Sequence, residues 1–239
     1  MSRVRVFVLA ASVLAFMAPS VAAESPRSMM FEIHVGPYEP QIDRAFKYST
    51  PYADLFGDET MMMFGFHADY QLFQGFGTVA LGGGARFGSV DGMALNLDGT
   101  SSSDTTTLHV LPLTASVTYR FDWMARNWDI PIVPYGKVGL TYTVWWVLNG
   151  NSEIANTYDL DDVGRAGQGG TFGFHAAGGI QILLDWFGPG MAAEFDTEIG
   201  VNNSYLFFEY GYHNVNDFGS ASSLDLGNAT FSAGLMFEL

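Results

Sequence analysis

The residues of this chain that could do chemistry are few: five histidines and a thin set of charged side chains, with only 10 Lys and Arg and no cysteine. His213, Asp217 and Ser220 make a His/acid/Ser set of the kind nucleophilic catalysis needs, in which a base takes the hydroxyl proton and an acid orients the base. The surrounding segment 214–225 is rich in Ser and Asp, so composition alone supplies such a set, and no enzymatic activity is expected. His34, His67 and His175 each stand singly among apolar residues and read as hydrogen-bonded inner side chains rather than metal ligands. The run Gly82-Gly83-Gly84 lacks the Lys and following Thr or Ser of a phosphate loop and suits bending or close packing within a strand. Asp159-Leu160-Asp161-Asp162 lacks the ligand spacing and glycine of a calcium loop. No metal site and no cofactor are expected.

The placement of charge is more informative. Glu32, Asp69, Arg86, Arg120, Lys137, Glu209 and Glu238 all occupy one parity of segments whose other parity is apolar. In 108–121, Leu111, Leu113, Ala115, Val117, Tyr119 and Phe121 alternate with Thr114, Ser116, Thr118 and Arg120. In 60–72, Met62, Phe64, Phe66, Ala68, Tyr70 and Leu72 alternate with Met63, Gly65, His67, Asp69 and Gln71. A period of two puts successive side chains on opposite faces of a strand. The same pattern runs through 30–38, 78–88, 132–148, 171–184, 201–213 and 230–239, which makes eight strands. Segment 201–213 has aromatic residues on both parities; Leu206, Phe208, Tyr210 and Tyr212 are taken as the outward set, which turns Glu209 inward.

Connections 39–59, 89–106, 149–170 and 214–225 are long and polar, 73–77 and 122–131 are short, and 185–200 has room for one helix over 191–199. Long and short connections therefore alternate, with four loops at one end of the sheet and three turns at the other. An outer stripe without charge and an inner face of Gly, Thr, Ser, His and ionised groups inverts the soluble barrel, which keeps its apolar side chains inside. Arg or Lys on a lipid-facing strand at mid-bilayer costs about 2–4 kcal/mol. Lipid also demands closure, because an open edge leaves backbone groups unpaired. The expected fold is all-β: an eight-stranded antiparallel up-and-down transmembrane β-barrel with four long extracellular loops and three periplasmic turns. Tyr70, Tyr119, Phe121, Trp123 and Trp128 would form one interfacial ring, and Phe87, Trp146 and Tyr212 the other.

Length and composition fit one such domain. The 239 residues contain no Pro/Ser-rich linker, and their 48% of hydrophobic residues is spread in alternation, with no spanning-helix candidate. Residues 1–23 read as a secretory signal peptide: Arg3 and Arg5 precede the apolar run 6–17, and small residues end at Val21-Ala22-Ala23. The mature barrel would span 24–239. Without cysteine there is neither a lipoprotein attachment site nor a disulfide framework. Losing two arginines and no acid takes the formal charge from −15 to −17, the wrong sign for nucleic acid. Asp54, Asp58 and Glu59, then Asp91, Asp98 and Asp104, then Glu153, Asp159, Asp161 and Asp162 read as solvated loop charge.

The segment Pro134-Tyr135-Gly136-Lys137-Val138-Gly139-Leu140-Thr141-Tyr142 resembles the PY-x-G-x-G-x-x-Y strand opening of small bacterial outer-membrane barrels of the OmpA transmembrane-domain and OmpW type. Ser232, Gly234, Phe237 and Leu239 resemble their C-terminal assembly signal, with Leu239 where such proteins usually end on Phe. The resemblance covers the mature chain at the level of architecture and identifies no subfamily. It implies a porin-like monomer in the outer membrane of a Gram-negative cell, surrounded by outer-membrane lipids and lipopolysaccharide and inserted by the barrel assembly machinery. The interior of an eight-stranded barrel is just wide enough for side chains to fill. The seven inner charges are therefore expected to form a network that plugs a polar lumen, leaving a structural or surface-interaction role with an extracellular partner reached through the loops. The resemblance implies two alternatives. One is a narrow channel for small solutes, hydrophobic ones included, which a dry apolar pocket near the outer rim would favour. The other is a lipid A acyl-modifying enzyme, for which His109, or His213 with Asp217 and Ser220, are the candidates.

Overall fold

The computed structural model describes residues 27–57, 59–95, 100–159, 162–220 and 223–239. Residues 1–23, expected above to be a signal peptide, lie outside the described residues, as do Asp58, Asp98 and Asp161. Eight strands close into a barrel: β1 (Met29–Tyr38), β2 (Met61–Gly75), β3 (Gly77–Leu95), β4 (Ser101–Arg120), β5 (Ile132–Leu148), β8 (Gln168–Leu183), β9 (Asn203–Val215) and β10 (Asn228–Glu238). Around the ring the order is β1-β10-β9-β8-β5-β4-β3-β2, with every neighbour antiparallel. The two short strands β6 (Asn156–Asp159) and β7 (Asp162–Ala166) form a separate hairpin between β5 and β8. Helix α1 (Pro51–Phe56) follows β1, α2 (Trp123–Trp128) joins β4 to β5, and α3 (Pro189–Ile199) joins β8 to β9. One end of the barrel thus carries the tight turn at Phe76 with α2 and α3, and the other carries the long connections.

Period-two alternation decides which side chains face out. Phe64, Phe66, Tyr70, Leu81, Leu113, Val117, Val138, Leu140, Phe172 and Phe231 are exposed, while their sequence neighbours His67, Asp69, Ala80, Ser116, Thr118, Lys137 and Thr171 are buried. In β9 the exposed residues are Phe208, Tyr210 and Tyr212, and Tyr205 and Phe207 are buried.

Two expectations are corrected. Segment 89–106 is not a loop through most of its length: the β3–β4 ladder continues past Gly88↔Val110 through Asp91↔Thr107 to Leu95↔Ser101. The β4 side of this extension, Ser101 to Thr106, is Ser, Asp and Thr on both faces, so the hydrophobic alternation is lost there although the strand is not. Nor is the inner face polar throughout. Met30, Ala80, Val133, Tyr135, Tyr205, Phe207 and Met236 form a buried apolar cluster toward the turn end. A second cluster toward the loop end joins Tyr38, Met61, Met63, Val90, Leu108, Val110 and Val215 to Ile42, Tyr52, Phe56 and Leu226 from the connections. Both clusters use the inner parity at the strand ends; the polar residues that dominate the pattern belong to the middle.

Candidate functional site

Among and between the two apolar clusters, hydrogen-bonded and ionised side chains cross the interior, and their geometry follows from the ring order. Arg120 on β4 is fully buried and pairs with Glu238 on β10 at 3.2 Å. Lys137 on β5 pairs with Glu32 on β1, and at 3.5 Å with Glu209 on β9. Arg86 on β3 has its Nη1 3.5 Å from Nε2 of His213 on β9. In a ring of eight, β4 and β10, β5 and β1, and β3 and β9 are each four strands apart in either direction. Each of the three contacts therefore joins opposite walls and crosses the interior.

Hydrogen bonds hold these charges. Glu238 accepts from Gln71 Nε2 and from Asn203 Nδ2, each at 2.8 Å. Arg120 Nε donates to Gln181 Oε1 at 2.7 Å, and its guanidinium lies 4.9 Å from the Tyr205 ring centroid. Glu209 accepts from the Tyr135 hydroxyl at 3.0 Å, and the Lys137 ammonium lies 5.3 Å from the Tyr135 ring. Buried charges are tolerated when paired and hydrogen-bonded in this way. Asp69 accepts from the Thr118 hydroxyl at 3.3 Å and lies 3.3 Å from His67 Nε2, and His67 also meets Ser116 at 3.1 Å. Gly82 and Gly84 lie directly under Asp69 and His67, where a Cβ would collide with those side chains, so the glycine run makes room for the polar layer.

The seven charges singled out by parity therefore divide. Glu32, Lys137 and Glu209 come together, Arg120 and Glu238 come together, and Asp69 and Arg86 each have a histidine as their ionisable neighbour. Among the described residues, Arg86 Nε and Nη2 are buried without a hydrogen-bond partner. The histidines sort by wall. His175 accepts or donates to Thr141 at 2.9 Å and stacks on His213 at 5.7 Å, and His34 packs edge-on to Phe207. His109 faces outward, stacked between Phe87 at 5.7 Å and Trp146 at 5.1 Å. His213 and Asp217 make no hydrogen bond with each other: the Asp217 carboxylate caps the Phe172 N–H at 2.7 Å. Among the described residues no group of three or more His, Asp or Glu could hold a metal ion.

The loop-end cluster contains an element that alternation could not disclose. α1 sits in the barrel mouth, with Tyr52 and Phe56 buried against the inner wall. The Asp43 carboxylate accepts from the first free N–H groups of the helix, Tyr52 N at 2.7 Å and Ala53 N at 3.1 Å. Gly92 on β3 lies against α1, where any Cβ would strike the Leu55 carbonyl and the Phe56 ring. Burial, reinforced by the nearby Glu39, Glu59 and Asp43, pushes the Tyr52 hydroxyl up to about 12, so it stays protonated and donates to the Glu59 carbonyl at 2.8 Å.

Of the four residues of the assembly-signal resemblance, Ser232, Gly234 and Phe237 lie on β10 and Leu239 directly follows it. Gly234 lies so close to β1 that a Cβ would meet the Ile33 carbonyl and His34. Ser232 is buried on the inner face, Phe237 pairs with Phe31, and Leu239 exchanges backbone hydrogen bonds with Met29.

No family model matches this chain, and no curated protein does. Among solved structures, the outer membrane protein OprG from Pseudomonas aeruginosa is similar with 13% identity and a TM-score of 0.50, over 91% of this chain and 98% of that one. Neisserial surface protein A is 13% identical over 89% of this chain and 96% of its own, with a TM-score of 0.45. The attachment invasion locus protein Ail of Yersinia pestis, solved with the heparin analogue sucrose octasulfate, is 12% identical over 91% of this chain and 100% of its own, with a TM-score of 0.44. The likeness to OprG is one of fold: this chain has the closed eight-strand antiparallel architecture of small outer-membrane barrels.

Proposed function

We propose that this chain is an integral protein of the bacterial outer membrane whose barrel is closed by its own side chains and whose work is structural or is done at the loop end, by surface interaction. The observation that carries the reading is the set of three contacts across the interior: Lys137–Glu32 and Arg86–His213 between the two apolar clusters, and Arg120–Glu238 beside Met30 and Tyr205 of the turn-end cluster. This filling supports a closed interior without the continuous aqueous path that a diffusion pore needs. The wide exposed apolar stripe of the strands, from Phe64 and Phe66 to Val138, Leu140 and Phe231, supports a lipid environment, since water would not stabilise so wide an apolar surface on a monomer. The fold shared with OprG supports the same location. Export by a signal peptide at 1–23, insertion by the barrel assembly machinery, contact with lipopolysaccharide, a monomeric state and the absence of enzymatic activity belong to this proposal. The separation of His213 from Asp217 supports the last of these. Liposome swelling with refolded protein tests the closed interior. No flux of small sugars or ions above protein-free vesicles is expected, and measurable flux would overturn the reading.

A second reading, passage of small apolar solutes, draws on one specific observation. The loop-end cluster is an apolar cup whose filling comes partly from the connection after β1, through Ile42, Tyr52 and Phe56. If that connection swings out, the cup is left for an apolar molecule. Saturable binding of an apolar fluorophore by the refolded wild type, lost on overfilling the cup with Val110→Trp, would favour this reading over a permanently closed barrel.

A further inference from the structure

The turn end carries an apolar surface that neither the barrel wall nor its interior uses. Trp186 is 56% exposed, Phe187 68%, Phe195 47% and Ile199 63%. Phe195 and Ile199 are four apart on α3 and so share one face of the helix. Trp186 and Phe187 precede α3 in a turn closed by Phe187 N to Leu184 O at 2.9 Å, with their rings edge to face at 5.1 Å. The patch continues the outward stripe rather than standing apart from it. The end of β8 pairs Ile182 with the exposed Ile132 at the start of β5, Leu183 N donates to Pro131 O, and the exposed Ile130 and Trp128 lie on the connection before β5.

We propose that α3 and the turn before it lie in the membrane–water interface, as an anchoring foot that rests Trp186, Phe187, Phe195 and Ile199 on the lipid around the barrel's turn end. This rests on the membrane reading above and adds a lipid contact outside the strands. Continuity with the outward stripe fixes the occupant as lipid. Tryptophan and phenylalanine at that level suit the headgroup boundary, where an aromatic ring is half in hydrocarbon and half in water. The charge of the helix fixes the kind of lipid. Glu194, Asp196 and Glu198 have no basic neighbour on α3, so the foot suits zwitterionic headgroups, whose ammonium groups answer carboxylates, and not an anionic surface.

The chain has no cysteine, so single nitroxide labels can be placed without background. F195C and I199C report the foot, V138C reports the outward stripe, and S103C serves as an exposed loop-end reference. With the refolded full chain in phosphatidylcholine/phosphatidylethanolamine vesicles, F195C and I199C are expected to be accessible to oxygen and shielded from a water-soluble nickel quencher, to a degree between V138C and S103C. If F195C and I199C read like S103C while V138C reads as lipid-buried, the foot is in water and this proposal fails with the barrel reading intact. If V138C also reads like S103C, both fail. Dipolar broadening between F195C labels would assign the patch to a second copy of the chain and overturn the lipid foot.

Discussion

Lys137 serves two carboxylates from one ammonium group, and this makes it the residue whose loss should cost most. With Lys137 truncated, Glu32 and Glu209 face each other inside the barrel without a cation between them. Removing one partner of a buried ion pair costs about 3–5 kcal/mol, because the other charge stays buried and unpaired. Lys137→Ala should therefore unfold at markedly lower urea concentration in detergent micelles, and on gels it should shift at lower temperature from the folded to the unfolded mobility. Lys137→Met combined with Glu32→Gln should recover much of that loss, since Glu209 keeps the Tyr135 hydroxyl and no uncompensated pair remains. An unfolding curve for Lys137→Ala that overlays wild type would show that the layer contributes nothing. Glu238 offers a second test at this scale. Glu238→Gln keeps the hydrogen bond from Asn203 or Gln71 but leaves the Arg120 guanidinium without its carboxylate, so a barrel that forms yet unfolds more readily is expected.

The strand β10 closes the ring through its ladder to β1, and removing 237–239 would take away both the Phe31↔Phe237 and Met30↔Glu238 pairs and the Arg120 counter-ion. Because lipid leaves no water for an unpaired edge, that truncation should yield no heat-modifiable species at all, in contrast to Glu238→Gln. Helix α1 is an element whose position can be tested without touching it. Gly92→Val would push a side chain into Leu55 and Phe56 and should expose the loop-end cup to an apolar dye while the barrel still forms. Dye binding equal to wild type would mean that α1 does not seal the mouth. How legible these elements were in the sequence depends on what each one packs against. In 60–72 and 108–121 one face meets the outside throughout, so alternation is plain and the strand, its parity and its charges are all readable. In 201–213 the inner parity enters the turn-end cluster through Tyr205 and Phe207, which erases the contrast between faces. In the β3–β4 extension the β4 side, Ser101 to Thr106, is polar on both faces and looks like loop. Tyr52 and Phe56 are spaced by one helical turn behind Pro51, but six residues are too few to establish a period. The cross-wall pairs were not readable at all. Parity tells which way Arg120 and Glu238 point, whereas their meeting depends on the stagger accumulated over four intervening strand pairings.

At the scale of the whole molecule, the closed interior we propose consists of three closures in series: the loop-end cluster with α1, the polar contacts of Lys137 and Arg86, and the turn-end cluster around Tyr205 and Phe207 with Arg120 and Glu238. Closures in series have a property that a single gate lacks, since opening one of them leaves the path shut at the others. Tyr52→Ala with Phe56→Ala should empty the mouth and admit an apolar fluorophore, yet planar-bilayer recordings should stay silent, because the ion pairs below still bridge opposite walls. Tyr205→Ala with Phe207→Ala should likewise be silent alone, while weakening the barrel by the loss of two buried rings, each worth about 3–5 kcal/mol when truncated. Conductance should not appear unless both ends are opened together with the Lys137→Met and Glu32→Gln pair, which removes the bridge between β5 and β1 and leaves Glu209 held by the Tyr135 hydroxyl. Current from the mouth variant by itself would mean that water already threads the polar layer, and the closed-barrel reading would give way to that of a narrow channel with a helical lid.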